Sequence, residues 1–298
     1  MKIPLVFLGT SQAIPTAKRN HTAVLLSYKE ETLLIDCGEG TQRQFRKARL
    51  NPCKITKLLI THWHGDHVLG LPGLFQTLAL SNYNRKLDIY GPAKTKIFTK
   101  MLIYPFIPVL KFEANVNEVQ GKFLETNDFY IEAFPLQHGV PCNAYSFVEK
   151  DKIRIDKKKL EKLKIPGSPL IGELQKGKDI KFNGKTIKSE DVTYKEKGKK
   201  ITIILDTELT ENCYKAAENA DLLIAEATYS NDDKELAKEY KHLTAGQAAQ
   251  IAKKARCKKL ILTHISQRYQ SNEKILLEEA RKIFRNTELA EDLMKVEV

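Results

Sequence analysis

The sequence predicts an α/β protein, and three observations carry the prediction. Short apolar runs rich in β-branched residues recur along the 298 residues; segments with helical spacing lie between several of them; and several runs end in a histidine or an aspartate. In order, residues 3–8 (IPLVFL), 22–26 (TAVLL) and 32–35 (TLLI) read as strands, and 39–48 (EGTQRQFRKA) as a helix. Residues 58–61 (LLIT) form the next strand, and the apolar spacing from 67 to 80 predicts a helix after it. Strands follow at 129–134 (FYIEAF), 201–205 (ITIIL), 222–225 (LLIA) and 260–263 (LILT), with helices over 211–219, 245–255 and 272–284. LLITHWH (58–64) and LILTHIS (260–266) echo one another, each a strand ending in Thr-His. Two halves delivering chemistry from strand ends, or chance likeness between two apolar strands, both account for the echo.

Composition bounds the classes. A formal charge of +12 fits an anionic partner such as nucleic acid. Five scattered cysteines, odd in number and without a Cys-x-x-Cys pair, suit a reducing compartment, so the chain reads as cytoplasmic. MKIPLVFLGT is too short an apolar run for a secretory signal, and no later run reaches the roughly eighteen residues a spanning helix needs. No membrane association is expected.

The segment 150–200 breaks the strand–helix rhythm. It holds 16 lysines and one arginine against eight acidic residues, which is nine of the twelve net positive charges. Its front, IDKKKLEKLKI, predicts a short helix with Leu160 and Leu163 on one side. The turn residues of PGSP, NGK and EKGKK fit either a solvated, partly mobile insertion or a basic arm gripping a polyanion. The rest of 1–298 reads as one catalytic domain.

The densest chemistry is THWHGDHVLGLPG (61–73). His62 and His64, two apart in extended chain, send their rings to one side, and the turn after them, with Gly65 permitting the bend, brings Asp66 and His67 to a second point. Asp36 can hold a ligand ring by hydrogen bond. His138, Asp206 and His264 each follow an apolar strand, and strand ends in a layered α/β fold converge on one edge. A closed structural zinc site would favour cysteines and four ligands, whereas seven nitrogen or oxygen donors divide over two metals. His62, His64 and His138 go to one, Asp66, His67 and His264 to the other, with Asp206 between them. The imidazole-rich set favours two zinc ions per subunit, and manganese also suits the aspartates.

His-x-His-x-Asp-His with distal His, Asp and His resembles the metallo-β-lactamase superfamily, which implies an αββα sandwich, here with a protruding basic arm. More narrowly, FLGTSQAIPTAKRNHTAV, DCGEGTQRQ, THWHGDHVLGLPGL, HLTAGQAA and LILTHISQRY are similar to ribonuclease Z. That resemblance implies a metal-dependent endoribonuclease removing the 3′ trailer from precursor tRNA after the discriminator base. Asp66 would be a ligand that also accepts a proton of the attacking water, and Glu226 with His242 would protonate the leaving ribose oxygen. It further implies a homodimer in which the 150–200 arm of one subunit presents tRNA to the other. Three positions depart from the family pattern: Ala225 stands where histidine precedes the glutamate, Leu205 where glycine precedes the aspartate, and Ser168 where glycine precedes Pro169. Lys157, Lys158, Lys159, Lys176 and Lys178 are the arm's candidate RNA contacts, with Lys18 and Arg19 of PTAKRN and Arg268 candidates near the cut. For the loop pair a solvated surface is the alternative, and for Arg268 a salt bridge. Two other functions fit part of the pattern: a hydrolase of a small phosphodiester or thioester on the same site, and a tRNA-binding protein with structural metal. The arm argues against the first, the Glu226–His242 pair against the second.

Overall fold

Apolar residues crowd both faces of the strands, and the structure, a computed structural model describing residues 2–298, buries both. One seven-stranded sheet contains β1 (Pro4–Gly9), β2 (Ala23–Tyr28), β3 (Glu31–Ile35), β4 (Lys57–Leu59), β5 (Leu87–Gly91), β6 (Ala114–Glu118) and, beside β1, β18 (Lys295–Glu297). The other contains β7 (Gly121–Glu125), β8 (Phe129–Gln137), β9 (Pro141–Glu149), β14 (Lys200–Ile204), β15 (Leu222–Glu226), β16 (Leu260–Thr263) and β17 (Thr287–Leu289).

In the first sheet Val6, Leu8, Leu25, Leu34 and Leu58 pack under α1 (Thr41–Lys47), α3 (Leu71–Leu80) and α4 (Thr95–Ile103). One residue out of phase, Leu5, Phe7, Leu26, Leu33 and Leu59 are buried on the opposite face. The second sheet repeats this, with Leu223, Ala225, Leu260 and Leu262 under α8 (Glu211–Ala217), α10 (Ala245–Lys254) and α11 (Lys274–Ile283). The inner faces meet: Tyr28 and Phe147 pack as tilted rings with centroids 5.2 Å apart, and the Tyr145 hydroxyl donates to the Ile60 carbonyl at 2.7 Å. The result is four layers, helix, sheet, sheet, helix, as expected of the sequence. Each fully buried Leu or Phe stabilises it by about 1.5–3 kcal/mol.

Strands β3 to β6 run parallel, as do β14 to β17. The echoed strands β4 and β16 therefore occupy parallel runs in different sheets, and each delivers a histidine just past its end.

Several elements differ from the sequence reading. The expected helix over 67–80 is two, α2 (Gly65–Val68) and α3, broken at Gly70. Gly70 donates its N–H to the Cys37 carbonyl at 2.9 Å, and a Cβ there would lie 2.1 Å from the Gly38 carbonyl oxygen. Gly65 is not what permits the bend: it is the first helical residue and lacks a positive φ. Strands β5, β6, β7, β9, β17 and β18 were not expected: all but β9 are three to five residues of mixed polarity with no readable alternation, and the nine residues of β9 (PCNAYSFVE) mix small and polar residues with apolar ones.

The chain divides into two compact units, the smaller being Thr126–Tyr130 with Val148–Lys199. In it β10 (Lys152–Ile155) pairs with β13 (Thr193–Glu196), and β11 (Ile180–Phe182) with β12 (Lys185–Ile187) across an Asn183-Gly184 turn. With α5 (Lys157–Lys162), α6 (Pro169–Gln175) and α7 (Ser189–Val192) these strands enclose Leu160, Ile165, Leu174, Ile180 and Val192. The segment thus has a hydrophobic core of its own. Leu163, expected beside Leu160, instead caps α5, is 43% exposed and stays outside that core.

Candidate active site

The site begins with a strained residue. Asp36, just past β3, has φ of 57°, a left-handed conformation uncommon for a non-glycine residue. That backbone places its buried carboxylate so that Oδ1 accepts the Thr61 N–H at 2.7 Å, while Oδ2 takes the Thr61 hydroxyl at 2.6 Å and His67 Nδ1 at 2.7 Å. One carboxylate therefore pins both ends of the ligand-rich turn. Replacing Asp36 with asparagine keeps the left-handed backbone accessible but removes the charge that orients His67. Affinity for divalent cations, read by competition with a chromogenic chelator, should fall roughly 10–100-fold.

The structure gathers the seven expected donors into two groups sharing Asp206, their donor atoms within 4.8 Å of one another in each group. In the first, His64 Nδ1 lies 3.1 Å from His62 Nε2 and 3.2 Å from His138 Nε2, while Asp206 Oδ2 lies 3.6 and 3.4 Å from those two Nε2 atoms. In the second, His67 Nε2 lies 3.3 Å from His264 Nε2, 3.2 Å from Asp66 Oδ2 and 3.4 Å from Asp206 Oδ1. His264 Nε2 closes that figure at 3.4 Å from Asp66 Oδ2 and 3.1 Å from Asp206 Oδ1. These separations match the edges, about 3.3 Å, of a tetrahedron of donors each about 2.0–2.1 Å from a common centre. Asp206 Oδ1 is buried and accepts no hydrogen bond despite its two close nitrogens, as a donor atom aimed at a cation would. The residues fit two divalent ions.

Four of the five rings are steadied through the other nitrogen, His67 by Asp36 as described. His62 Nδ1 lies 3.1 Å from the Thr61 hydroxyl, and His264 Nδ1 2.8 Å from that of Thr228. His138 Nδ1 donates to the Lys241 carbonyl at 2.9 Å, from a residue in the left-handed conformation (φ 56°) that ends α9 (Lys234–Tyr240). His264 itself has φ of 58°.

Electrostatics separates the donors. Burial and the neighbouring His67 hold His62 below its ordinary range, and burial with His138 does the same for His64, leaving unprotonated nitrogens suited to ligation. Burial pushes Asp206 up, but His264, His67 and His62 outweigh it and hold the carboxylate ionised. Burial likewise opposes the charge on His67, yet Asp206, Asp66 and Asp36 raise it well above the usual histidine value. Three buried carboxylates thus demand positive charge at this point.

Beside the second group stands the expected acid pair. Glu226 is fully buried: Oε1 accepts the Thr207 N–H at 2.7 Å, and Oε2 takes the Thr228 hydroxyl at 2.5 Å and His242 Nδ1 at 2.9 Å. Burial disfavours the imidazolium, but the charge and hydrogen bond of Glu226, with Asp206 3.9 Å away, push His242 up to about 9. Glu226, His242 and His264 also offer a set of donor atoms, but their mutual hydrogen bonds and the Thr228 hydroxyl already employ them. Thr228, which touches Glu226 and His264, was missed in the sequence. Its only signal is its place two residues after Glu226, on the same side of an extended chain.

The RNA candidates fare unequally. Lys18, Lys157, Lys158 and Lys159 are exposed. Lys176 and Lys178 are exposed but both pair with Glu173 at 2.9 Å. Arg268 forms the salt bridge that was its alternative, to Asp233 at 3.2 Å, with its guanidinium 5.6 Å over the Tyr229 ring. Arg19 must be corrected: it is 4% exposed and cannot meet RNA phosphate. Its guanidinium grips Glu273 at 2.6 and 2.7 Å, the Thr10 hydroxyl at 2.6 Å and the Ala290 carbonyl at 2.7 Å. Arg19→Ala would strand these acceptors, so we expect a loss of about 3 kcal/mol in urea unfolding.

A family model described as anti-Pycsar protein Apyc1 matches residues 3–102, the third of the chain that carries His62 to His67. A Bacillus subtilis metallo-β-lactamase fold protein superposes with a TM-score of 0.73 at 19% identity, covering 100% of this chain and 99% of its own. The four layers are accordingly a metallo-β-lactamase fold. Human tRNase Z, short form, is 31% identical with a TM-score of 0.72, covering 98% of both chains. Ribonuclease Z of Methanothermobacter thermautotrophicus is 40% identical over 99% of this chain and 96% of its own. Ribonuclease Z of Bacillus cereus is 40% identical over 97% of each. Likeness confined to residues 3–102 reaches only the first four donors, whereas the likeness to these relatives spans nearly the whole chain, including the stretches that carry His138, Asp206, Glu226, His242 and His264. On that whole-chain similarity, this chain belongs to the ribonuclease Z family.

Proposed function

We propose that this chain is the endoribonuclease that removes the 3′ trailer from precursor tRNA, hydrolysing the phosphodiester after the discriminator base and leaving a 3′-hydroxyl. The observation that carries this reading is the pair of donor groups joined through Asp206, with the Glu226–His242 pair beside them, in a chain of this family. His62, His64 and His138 would hold one cation, Asp66, His67 and His264 the other, and Asp206 both; two zinc ions per subunit suit the imidazoles, and manganese the aspartates. Bound there, the cations supply Lewis acidity and lower the pKa of water.

The chain's own residues do the rest. Asp66, whose Oδ2 faces His67 and His264, has a second oxygen to accept a proton from the attacking water. His242, charged through its Nδ1 bond to Glu226, gives the Nε2 proton to the departing ribose oxygen. We assign the segment 150–200 as a tRNA-gripping arm, because its net charge suits a phosphate backbone and a small substrate needs no such grip. We further propose that the enzyme works as a homodimer in the cytoplasm, where its five free cysteines stay reduced. No helix among the described residues is long and apolar enough to cross a membrane.

The test is to incubate the purified protein with a 3′-extended tRNA precursor, with and without chelator and added zinc or manganese, and to map the cut at nucleotide resolution. One metal-dependent cut after the discriminator base is expected. No cut by protein with confirmed metal would move the assignment to a small-phosphodiester hydrolase.

A further inference from the structure

Between Thr41 and Thr56 the chain has no acidic residue and five cations: Arg43, Arg46, Lys47, Arg49 and Lys54. All five are exposed, and none is in an ion pair among the described residues. Elsewhere the surface mixes its charges. Arg154 pairs with Glu196, Lys195 with Asp151, and Lys258 with Asp221. An unneutralised run on one short helix and its exit turn repels itself, so it gains when an anion arrives.

The second observation is shape. A groove of about 460 Å³ lies at the end of α1, lined by Arg46, Arg49, Leu50, Asn51, Pro52 and Ser81. Two guanidinium groups, an amide and a hydroxyl offer hydrogen-bond donors around it, with apolar Leu50 and Pro52 between. That set suits phosphate oxygens.

The third is position. Cys37, three residues before the Gly40 cap of α1, donates its N–H to the His67 carbonyl at 2.8 Å, and Asp36 before it holds His67. From there the seven residues of α1 run about 10 Å back along the sheet, so the groove lies beside the starts of β3 and β4, away from the edge that carries the donors.

We propose that this face is a second RNA-binding surface, built from residues other than the lysines of 150–200, that holds the precursor's phosphate backbone at a point away from the cut. The inference rests on the tRNA-processing reading and adds to it a place where the RNA runs. Arginines contribute bidentate grip where lysines give point charge, so Arg46 and Arg49 at the groove dominate.

The experiment replaces the five cations with glutamine in the full-length protein and measures precursor binding against salt, with chelator present to stop cleavage. Each phosphate no longer neutralised should flatten the log–log salt dependence by about 0.9 for duplex RNA, or about 0.7 for single strand. We expect a flattening equivalent to two or more phosphates and a KM at least tenfold higher, with kcat and the hydrolysis of bis(p-nitrophenyl) phosphate unchanged. Exchanging the arginines for lysine should restore most of the slope. An unchanged slope and KM overturns the proposal, as does a parallel fall in small-substrate turnover. A change in sedimenting mass would also overturn it, by showing the face to be a protein interface. If the parent protein cuts and binds but the variant matches it, only this surface is lost; if the parent neither binds nor cuts the precursor, both readings fall.

Discussion

Asp206→Ala should abolish precursor cleavage, with kcat/KM falling roughly 10³-fold or more, the scale on which losing one preorganised electrostatic group is felt. The reason is its double position. Oδ2 faces His62 and His138, and Oδ1 faces His67 and His264, at 3.1 to 3.6 Å. Alanine removes an anionic donor from both groups at once and leaves the four rings crowded without the charge that draws a cation between them. Bound metal, measured by mass spectrometry after dialysis, should drop from the proposed two ions per chain to about one or fewer. Asp206→Asn, similar in size but neutral, should fall between parent and alanine. Two retained ions with near-parental turnover would show that Asp206 is not shared.

The second large effect is on proton transfer. His242→Ala should cut kcat on precursor tRNA roughly 10²–10⁴-fold while bound metal stays at the parental level. His242 belongs to neither of the two groups that the seven donors form, and its Nδ1 is committed to Glu226. A ribose 3′-oxygen leaves poorly without a proton, whereas nitrophenolate leaves well as an anion. Hydrolysis of bis(p-nitrophenyl) phosphate should therefore be much less affected than cleavage of RNA. Glu226→Gln should act in the same direction, since His242 loses the charge that keeps it protonated at neutral pH. Equal losses on both substrates would assign the pair a structural role instead.

How far these residues could be read in advance follows from what each signal contains. His62 to His67, His138, Asp206 and His264 were legible because each follows an apolar run, and parallel strands bring such ends to one edge. The separation of His62 and His64 from Asp66 and His67 was legible from the strand-then-turn geometry of one loop, whereas which of the two His138 and His264 would join is not written in any local pattern. The Thr-His echo holds for the histidines, since His62 and His264 both enter donor groups, but not for the threonines: Thr61 binds Asp36, while the Thr263 hydroxyl has no partner. Arg19 was misread because its partners Glu273 and Ala290 lie more than 250 positions away, where no local pattern reaches. Thr228 and the Lys241 carbonyl were invisible for a related reason. A hydroxyl or a backbone oxygen acquires its role only from the ring that folding sets against it.

The left-handed backbones of Asp36, Lys241 and His264 have a thermodynamic consequence. Each such conformation costs of order 1–3 kcal/mol, and all three lie at or directly behind the donor groups, beside a buried carboxylate oxygen without a hydrogen-bond partner. A ligand that binds only the native state stabilises it by mass action, about 2.7 kcal/mol at a hundred times its dissociation constant. If cations occupy the two donor groups as proposed, the melting temperature should rise with free divalent cation concentration. A chelator-stripped sample and a zinc-replete one should be compared as two different thermodynamic states of one fold.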